Sequence, residues 1–281
     1  MATVVTIPAV GAVQATPAES RRAWDPRLYQ IATLGGLLVY GVVALDLEIH
    51  PVTAVTIVAA ALVTQRVGAR LAGRSPELAS ALISALSLCL LLRTDAPALG
   101  ALAAALAIGS KFVLRVGGKH VFNPTNLALV VLLAATGQVW VSPGQWGSGA
   151  VFAFLLAAAG GVVVNRAARA DVSGMFLAAH AALVLGRAAW LGDPLAIPWH
   201  RLQNGALVLF AFFMISDPRT TPDSRAGRIL FALLVAVGAH VVQFRLFWTN
   251  PLLWSLAACS LVVPLLDRLL PGPRHQWRRQ P

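Results

Sequence analysis

The sequence predicts an all-α, polytopic membrane protein of about ten transmembrane helices. Three observations lead there. Of 281 residues, 58% are hydrophobic and 12% charged, with a mean hydropathy of +0.74. Average soluble domains are about 45–50% apolar and about 25% charged, and a water-soluble fold of this size could not bury the excess. Apolar stretches of bilayer length, about 17–25 residues, recur along the chain. The Lys and Arg residues then fall on alternate connections between them, which accounts for a net charge of +11 without a nucleic-acid partner. Two cysteines, Cys89 and Cys259, are too few for a disulfide framework or an iron–sulfur cluster held by this chain alone.

Taken in order, the expected spans are Tyr29–Leu45, Pro51–Val67, Leu78–Leu92, Pro97–Gly109, Asn126–Val141, Ser148–Val164, Gly174–Trp190, Leu202–Ile215, Gly227–Phe244 and Pro251–Leu266. The fourth and eighth are short enough to be half-helices or re-entrant segments. Residues 1–27 read as a mobile cytoplasmic tail with no cleavable signal peptide, since a charged segment followed by an apolar core is missing. Residues 28–143 and 144–270 form the two membrane halves, and 271–281 a basic cytoplasmic tail. With the N-terminus inside, eighteen Lys and Arg lie on the inner side. Only Arg93, Arg187, Arg201 and Arg245 lie on the outer side. That asymmetry orients a multi-pass protein with both termini cytoplasmic. Trp140, Trp146, Trp190, Trp199, Trp248 and Trp254 gather towards the outer side as an aromatic belt.

Four starts combine a capping residue with proline: Ser75-Pro76-Glu77, Asn123-Pro124, Asp217-Pro218 and Asn250-Pro251. A polar side chain can accept a free first-turn N–H, and proline at the first helical position loses no bond. Phe122-Asn123-Pro124-Thr125-Asn126 and Ser216-Asp217-Pro218-Arg219-Thr220-Thr221 each follow a short span. They are expected to be equivalent parts of an internal repeat, both on the inner side. Interrupted helices in paired positions are a common plan of membrane transport proteins. A pair of helix N-termini, with free N–H donors and partial positive charge, suits a polar or anionic ligand.

The segment from Ser110 to Asn126 is the richest in chemistry. Lys111 and Arg115 share a face if the helix continues, Gly117-Gly118 breaks it, and Lys119-His120 leads into the Asn123 cap. This set reads either as a cationic, amide-lined pocket for a reduced flavin, a quinone oxygen or a phosphate, or as a basic loop facing anionic lipid. Thr125 and Asn126, with Asp217 and Thr220 from the second motif, complete the candidate binding residues. No catalytic or metal-ligating set is expected. His180, seven residues before Arg187, and His240 read as interior histidines satisfied between helices.

The run Ser110-Lys111-Phe112…Arg115…Gly118-Lys119-His120-Val121-Phe122-Asn123-Pro124-Thr125-Asn126 resembles the membrane subunit shared by two redox pumps. These are the B subunit of the sodium-pumping NADH:quinone reductase and the D subunit of the Rnf complex. Residues 210–247, from Phe210-Ala211-Phe212-Phe213-Met214-Ile215-Ser216-Asp217-Pro218-Arg219 onward, resemble a bacterial branch associated with enediyne biosynthesis. The resemblance implies two five-helix inverted halves, similar to urea and ammonium channels, in the bacterial plasma membrane. It also implies electron transfer through non-covalent riboflavin or FMN near the cytoplasmic side, beside the turn matching Asn123 and Asn126. Other membrane or peripheral redox subunits would be its partners besides the lipid bilayer, for the chain could be no more than the membrane subunit of an oxidoreductase. Covalent FMN is not expected. The attachment sequence of the family ends in Thr, whereas Ser173-Gly174-Met175-Phe176 ends in Phe and reads as a helix start. Two other functions fit the same fold: a transporter or channel for a small solute or natural product, and a cofactor-free accessory of a biosynthetic pathway.

Overall fold

A computed structural model describes residues 25–44, 47–141 and 169–274 of the chain. Eleven α-helices make up most of these residues: α1 Pro26–Ala44, α2 Pro51–Leu71, α3 Leu78–Leu91, α4 Pro97–Val113, α5 Pro124–Ala135, α6 Ala170–Leu191, α7 Ala196–Leu202, α8 Gly205–Leu209, α9 Arg225–Phe244, α10 Pro251–Ser260 and α11 Val263–Leu269. A π-helical turn, Phe210–Met214, continues α8. Four two-residue strands form two antiparallel ladders. In one, β1 Leu92–Arg93 pairs with β4 Trp140–Val141; in the other, β2 Arg115–Val116 pairs with β3 Lys119–His120. The chain is therefore an all-α polytopic membrane protein. Helices α1, α2, α6 and α9 are each long and apolar enough to cross a bilayer, and α10 with α11 makes a fifth candidate, bent by 48°.

Nine of the ten expected spans coincide with a helix over at least part of their length; the sixth, Ser148–Val164, lies outside the described residues. Helix α4 runs further than expected, through Lys111 to Val113, while α5 ends early at Ala135. Its 12 residues span only about 18 Å, and the chain beyond them leads to β4 instead.

Small residues allow the close crossings. On α2 the buried positions Thr53, Ile57, Ala61, Gln65 and Ala69 recur every fourth residue, so they form one stripe. That stripe meets Gly100, Ala103, Ala104 and Ala107 of α4. A Cβ added at Gly68 would come within 2.5 Å of the Phe112 ring, and one at Gly100 within 3.0 Å of Thr53. At Gly238 of α9 it would strike the Ser255 hydroxyl of α10, which donates to the Val235 carbonyl at 2.7 Å. Backbones approach this closely in membrane bundles because packing rather than water drives helix association there.

The proline punctuation has several outcomes. Pro51, Pro97, Pro124 and Pro251 all open helices. Of the four expected caps, Asn123 alone accepts a first-turn N–H through its side chain, from Asn126 at 3.0 Å. Asn250 adopts a left-handed φ of 55° and makes no side-chain cap. Asp217-Pro218 does not start a helix. Its carboxylate accepts the Arg219 N–H, closing a turn, and α9 begins eight residues later, capped by Ser224. Ser173 and Gly174 lie inside α6 rather than at its start.

Two pairs of helices start at one common spacing along the chain. In the first half α2 packs on α4 and α4 on α5; in the second, α6 packs on α9 and α9 on α10. Helices α3 and α8 start 127 positions apart, at Leu78 and Gly205, as do α5 and α10, at Pro124 and Pro251. At that spacing Asn123-Pro124 falls on Asn250-Pro251. Asn126, fully buried, donates its amide to the Leu253 carbonyl at 3.1 Å. These two residues are also 127 apart.

Candidate functional site

Three segments converge on one polar cleft: the first half of α3, the end of α4 with the following hairpin, and the Asn123 cap. The π-turn and the 217–219 bend close it from the second half. Helix α3 presents Ser80, Ser84 and Ser87 at four- and three-residue spacing, all on the cleft, hence on one face. Lys111 reaches them from the last turn of α4. Its ammonium donates to the Ser80 carbonyl at 3.0 Å, the Ser80 hydroxyl at 3.1 Å and the Ser84 hydroxyl at 2.9 Å. Only 7% of Lys111 is exposed. Among the described residues no carboxylate lies within ion-pair distance of it.

The hairpin after α4 follows from two glycines. Gly117 and Gly118 have φ of 57° and 82°, the pair of positive values a tight type I′ turn requires. The turn returns His120 to lie opposite Arg115 and against the cleft. Across the cleft, the Asn123 amide donates to the Met214 carbonyl at 3.3 Å, fastening the cap of α5 to the π-turn. The two polar motifs thus meet at one end of the helices.

The electrostatics are mixed. Arg27 and Arg219 flank Glu77 at the mouth, at 3.9 and 3.0 Å. Burial raises the Asp217 carboxyl above its ordinary value, although the Arg219 N–H, the Arg219 guanidinium and Lys111 oppose the rise. Burial, and then the cations of Arg219, Arg115 and Lys111, push His120 down to about 3. It is therefore neutral at physiological pH, and its buried Nδ1 has no protein partner. A folded value below the ordinary 6.5 means that the unfolded chain binds the proton first as pH falls. Stability is then fully present above about 6.5 and is lost towards about 3, at up to about 1.4 kcal/mol per pH unit. Melting of the full chain in detergent between pH 7 and pH 4 should show a slope that shrinks in His120→Asn. An identical slope in that variant would assign the acid sensitivity to other groups.

Of the eight residues expected at the site, Lys111, Asn123, Thr125 and Asp217 line this cleft. The other four stand elsewhere. Arg115, beyond the end of α4, donates to the Gly118 carbonyl and meets Lys111 only in a smaller neighbouring cleft that both line. Lys119 turns away to Asp223 and Asp267, at 3.0 and 2.8 Å. Asn126 is sealed against Leu253, and Thr220 is buried on the Asp217 carbonyl. Residue-by-residue reading misses the Ser80–Ser84–Ser87 stripe and takes His120 only as part of the lead into the cap. The serine spacing is visible, but it sits inside a stretch whose hydropathy dominates it. His180 stacks on Phe176 at 5.6 Å, and Arg187 lies over the Phe244 ring at 4.2 Å. Among the described residues no group of three or more His, Cys, Asp or Glu is placed to hold a metal.

The donor set fits the carbonyl- and N–H-bearing edge of a flavin: an ammonium, three hydroxyls, an amide and an unpartnered imidazole nitrogen. The enclosed space is about 80 Å3. That holds the edge of a ring system, with the remainder extending into the open mouth. The residues therefore fit the polar edge of the group and not its whole body.

Residues 137–274 match the family described as NQR2, RnfD, RnfE. The D subunit of an ion-translocating oxidoreductase complex in Alcanivorax borkumensis is 35% identical over 81 residues, 28% of this chain and 24% of that relative. Its namesake in Citrobacter koseri is 27% identical over 136 residues, 48% of this chain and 36% of the relative. The matches thus cover about a quarter to a third of the relatives' length.

Proposed function

Through residues 137–274 the chain belongs to the NQR2, RnfD, RnfE family, and from that premise we propose that it is the membrane subunit of an ion-translocating electron-transfer complex. In this reading the cleft of Lys111, Ser80, Ser84, Asn123 and Thr125 holds riboflavin or FMN without a covalent bond, near the cytoplasmic side of a bacterial plasma membrane. The observation that carries it is the buried Lys111 ammonium, held by three uncharged oxygens at the wall of a polar cleft. A buried cation with no carboxylate at ion-pair distance is costly, and a ligand that becomes anionic on reduction would supply a closer charge. Bound flavin would supply one- and two-electron chemistry. The chain's own residues would orient its polar edge and favour its reduced anion. Other membrane and peripheral redox subunits would be the partners, with ten passages and both termini cytoplasmic.

The test is the colour of the purified full-length chain. Flavin should be released on denaturation in near-stoichiometric amount, and none should remain on the boiled protein. A colourless, folded protein that takes up neither added riboflavin nor FMN would overturn the reading. One observation favours a second function, passage of a small solute: Met214 lines both this cleft and the cavity at the other end of α3. Flux into vesicles that rises in Met214→Ala, in flavin-free protein, would support it.

A further inference from the structure

Beside the polar cleft, and sharing Ser80, Lys111 and His120 with it, lies the smaller one that the flavin reading leaves unassigned. Three arginines stand on it: Arg74, Arg115 and Arg219. Each is set there by a turn. Gly73, with φ of 62°, lets the Arg74 N–H return to the Ala69 carbonyl at 2.9 Å beyond the end of α2, in the manner of a Schellman motif. The Gly117-Gly118 turn holds Arg115 through the Gly118 carbonyl, and the Asp217 carboxylate fixes the Arg219 N–H at 3.0 Å. Glu77 is the one carboxylate among the described residues that line this cleft, and Arg219 takes it at 3.0 Å. Among the described residues, Arg74 and Arg115 meet no carboxylate at ion-pair distance. Burial, and then the charges of Arg74 and Arg219, hold the Arg115 guanidinium below its ordinary value, against the opposing charge of Glu77. The cleft therefore carries positive charge in excess.

Its wall also holds acceptors that lack donors. Gln65 of α2 is 5% exposed, and its buried carbonyl oxygen has no hydrogen-bond partner. The buried Nδ1 of His120, on the wall common to both clefts, is in the same state. An amide oxygen only accepts, and a neutral imidazole nitrogen can accept. Orphaned buried acceptors are uncommon and cost stability. A bare anion would answer the guanidiniums and leave these two atoms unanswered; an uncharged polyol would do the reverse. A phosphate monoester carries about −1.5 to −2 charge at pH 7, which matches two unpaired guanidiniums, and its terminal oxygens suit their N–H groups. A phosphodiester carries a single charge and matches less well. The cleft encloses about 50 Å3, several times the roughly 10–15 Å3 that holds one water, so a phosphoryl group has room.

We propose that this smaller cleft binds the phosphate monoester of a short polyol, with the phosphate held by Arg74 and Arg115 and the hydroxyls donated to Gln65 and His120. The site stands on its own donors and acceptors and does not need flavin in the larger cleft.

The experiment is calorimetry on the full chain in detergent, with glycerol 3-phosphate, methyl phosphate and glycerol as probes. The unmodified protein should bind glycerol 3-phosphate saturably and methyl phosphate about three- to tenfold more weakly, the range one net hydrogen bond gives. Glycerol should not bind. Arg74→Gln and Arg115→Gln should each weaken both phosphates at least about tenfold, the low end for hydrogen bonds from charged donors. Gln65→Leu should narrow the preference between the two phosphates and keep their binding. Equal binding of the two phosphates by the unmodified protein would leave only an unselective basic surface and overturn the proposal. So would an absence of saturable binding, or an affinity unchanged in both arginine variants. Competition by phosphatidylglycerol added to the micelle would make this a lipid headgroup site and overturn the monoester. FMN and riboflavin then identify the source. FMN bound more tightly than riboflavin, by the factor that Arg74→Gln removes, assigns the phosphate to the flavin. Equal affinity of the two assigns it to a free polyol phosphate. A protein that binds neither flavin loses the flavin reading and keeps this one. The comparison of probes needs no variant, so a variant that fails to fold leaves the proposal open to refutation.

Discussion

Lys111→Met is expected to lower flavin content at least about tenfold while leaving the fold as stable as before, or more so. Hydrogen bonds from a charged donor contribute about 1.5–3 kcal/mol, which is the affinity at stake if the ammonium meets the flavin edge. The folded protein gains little from the same group. Lys111 is buried without a direct ion pair, and removing such a charge in favour of an apolar side chain of similar length is often neutral or stabilising. The Ser84 hydroxyl does not become an orphan, because it already lies 3.2 Å from the Ser80 carbonyl. Affinity and stability should therefore move in opposite directions, which a merely structural lysine would not produce. Flavin released per folded protein and the melting temperature, taken on the same sample, decide the matter. Unchanged flavin content in a folded Lys111→Met protein would remove the cleft as the site.

Lys119→Met should have the largest effect on stability, a loss of about 3 kcal/mol. The ammonium lies between two carboxylates that are themselves hardly exposed, 10% for Asp223 and 20% for Asp267. Breaking such a group by removing one partner leaves uncompensated charge, at a cost of about 3–5 kcal/mol for fully buried pairs; the partial exposure here places the figure at the lower end. Asp267 also accepts the Asp223 N–H at 2.8 Å, so the two acids cannot easily swing apart. Adding Asp267→Asn to Lys119→Met should restore part of the loss, because asparagine keeps an acceptor for that N–H and removes the repulsion. Equal melting of the single and double variants would mean that the acids relax into solvent and the triad carries little energy.

What is legible along the chain and what is not divide by the distance over which each feature is decided. The Gly117-Gly118 break and the Asn123 cap are decided within a few residues, and both are legible. Asp217-Pro218 looks the same as Asn123-Pro124, yet one closes a turn and the other opens a helix. The difference lies a few residues downstream, where Ser224 offers α9 a competing cap. Asn126 and Lys119 look like ligand residues because their partners, Leu253, Asp223 and Asp267, lie 104 to 148 residues further on. Local pattern carries no trace of such partners. The serine stripe of α3 is hidden for another reason, since hydropathy averaged over a span conceals three hydroxyls on one face.

The Lys119 triad also has a history within each molecule's synthesis. Asp267 follows Lys119 by 148 residues, so at about 5–20 residues per second the lysine exists for roughly 7–30 s before its second acid is made. Until Asp223 is made, 104 residues on, it is an unpaired loop cation at the membrane surface, attracted to anionic headgroups and able to bias the orientation of the helices beside it. Only when α11 arrives does the charge leave the lipid for the fold. The same ammonium would serve first to set the topology of a growing chain and afterwards to lock the finished one. The order of those two tasks follows from nothing more than the length of chain between residues 119 and 267.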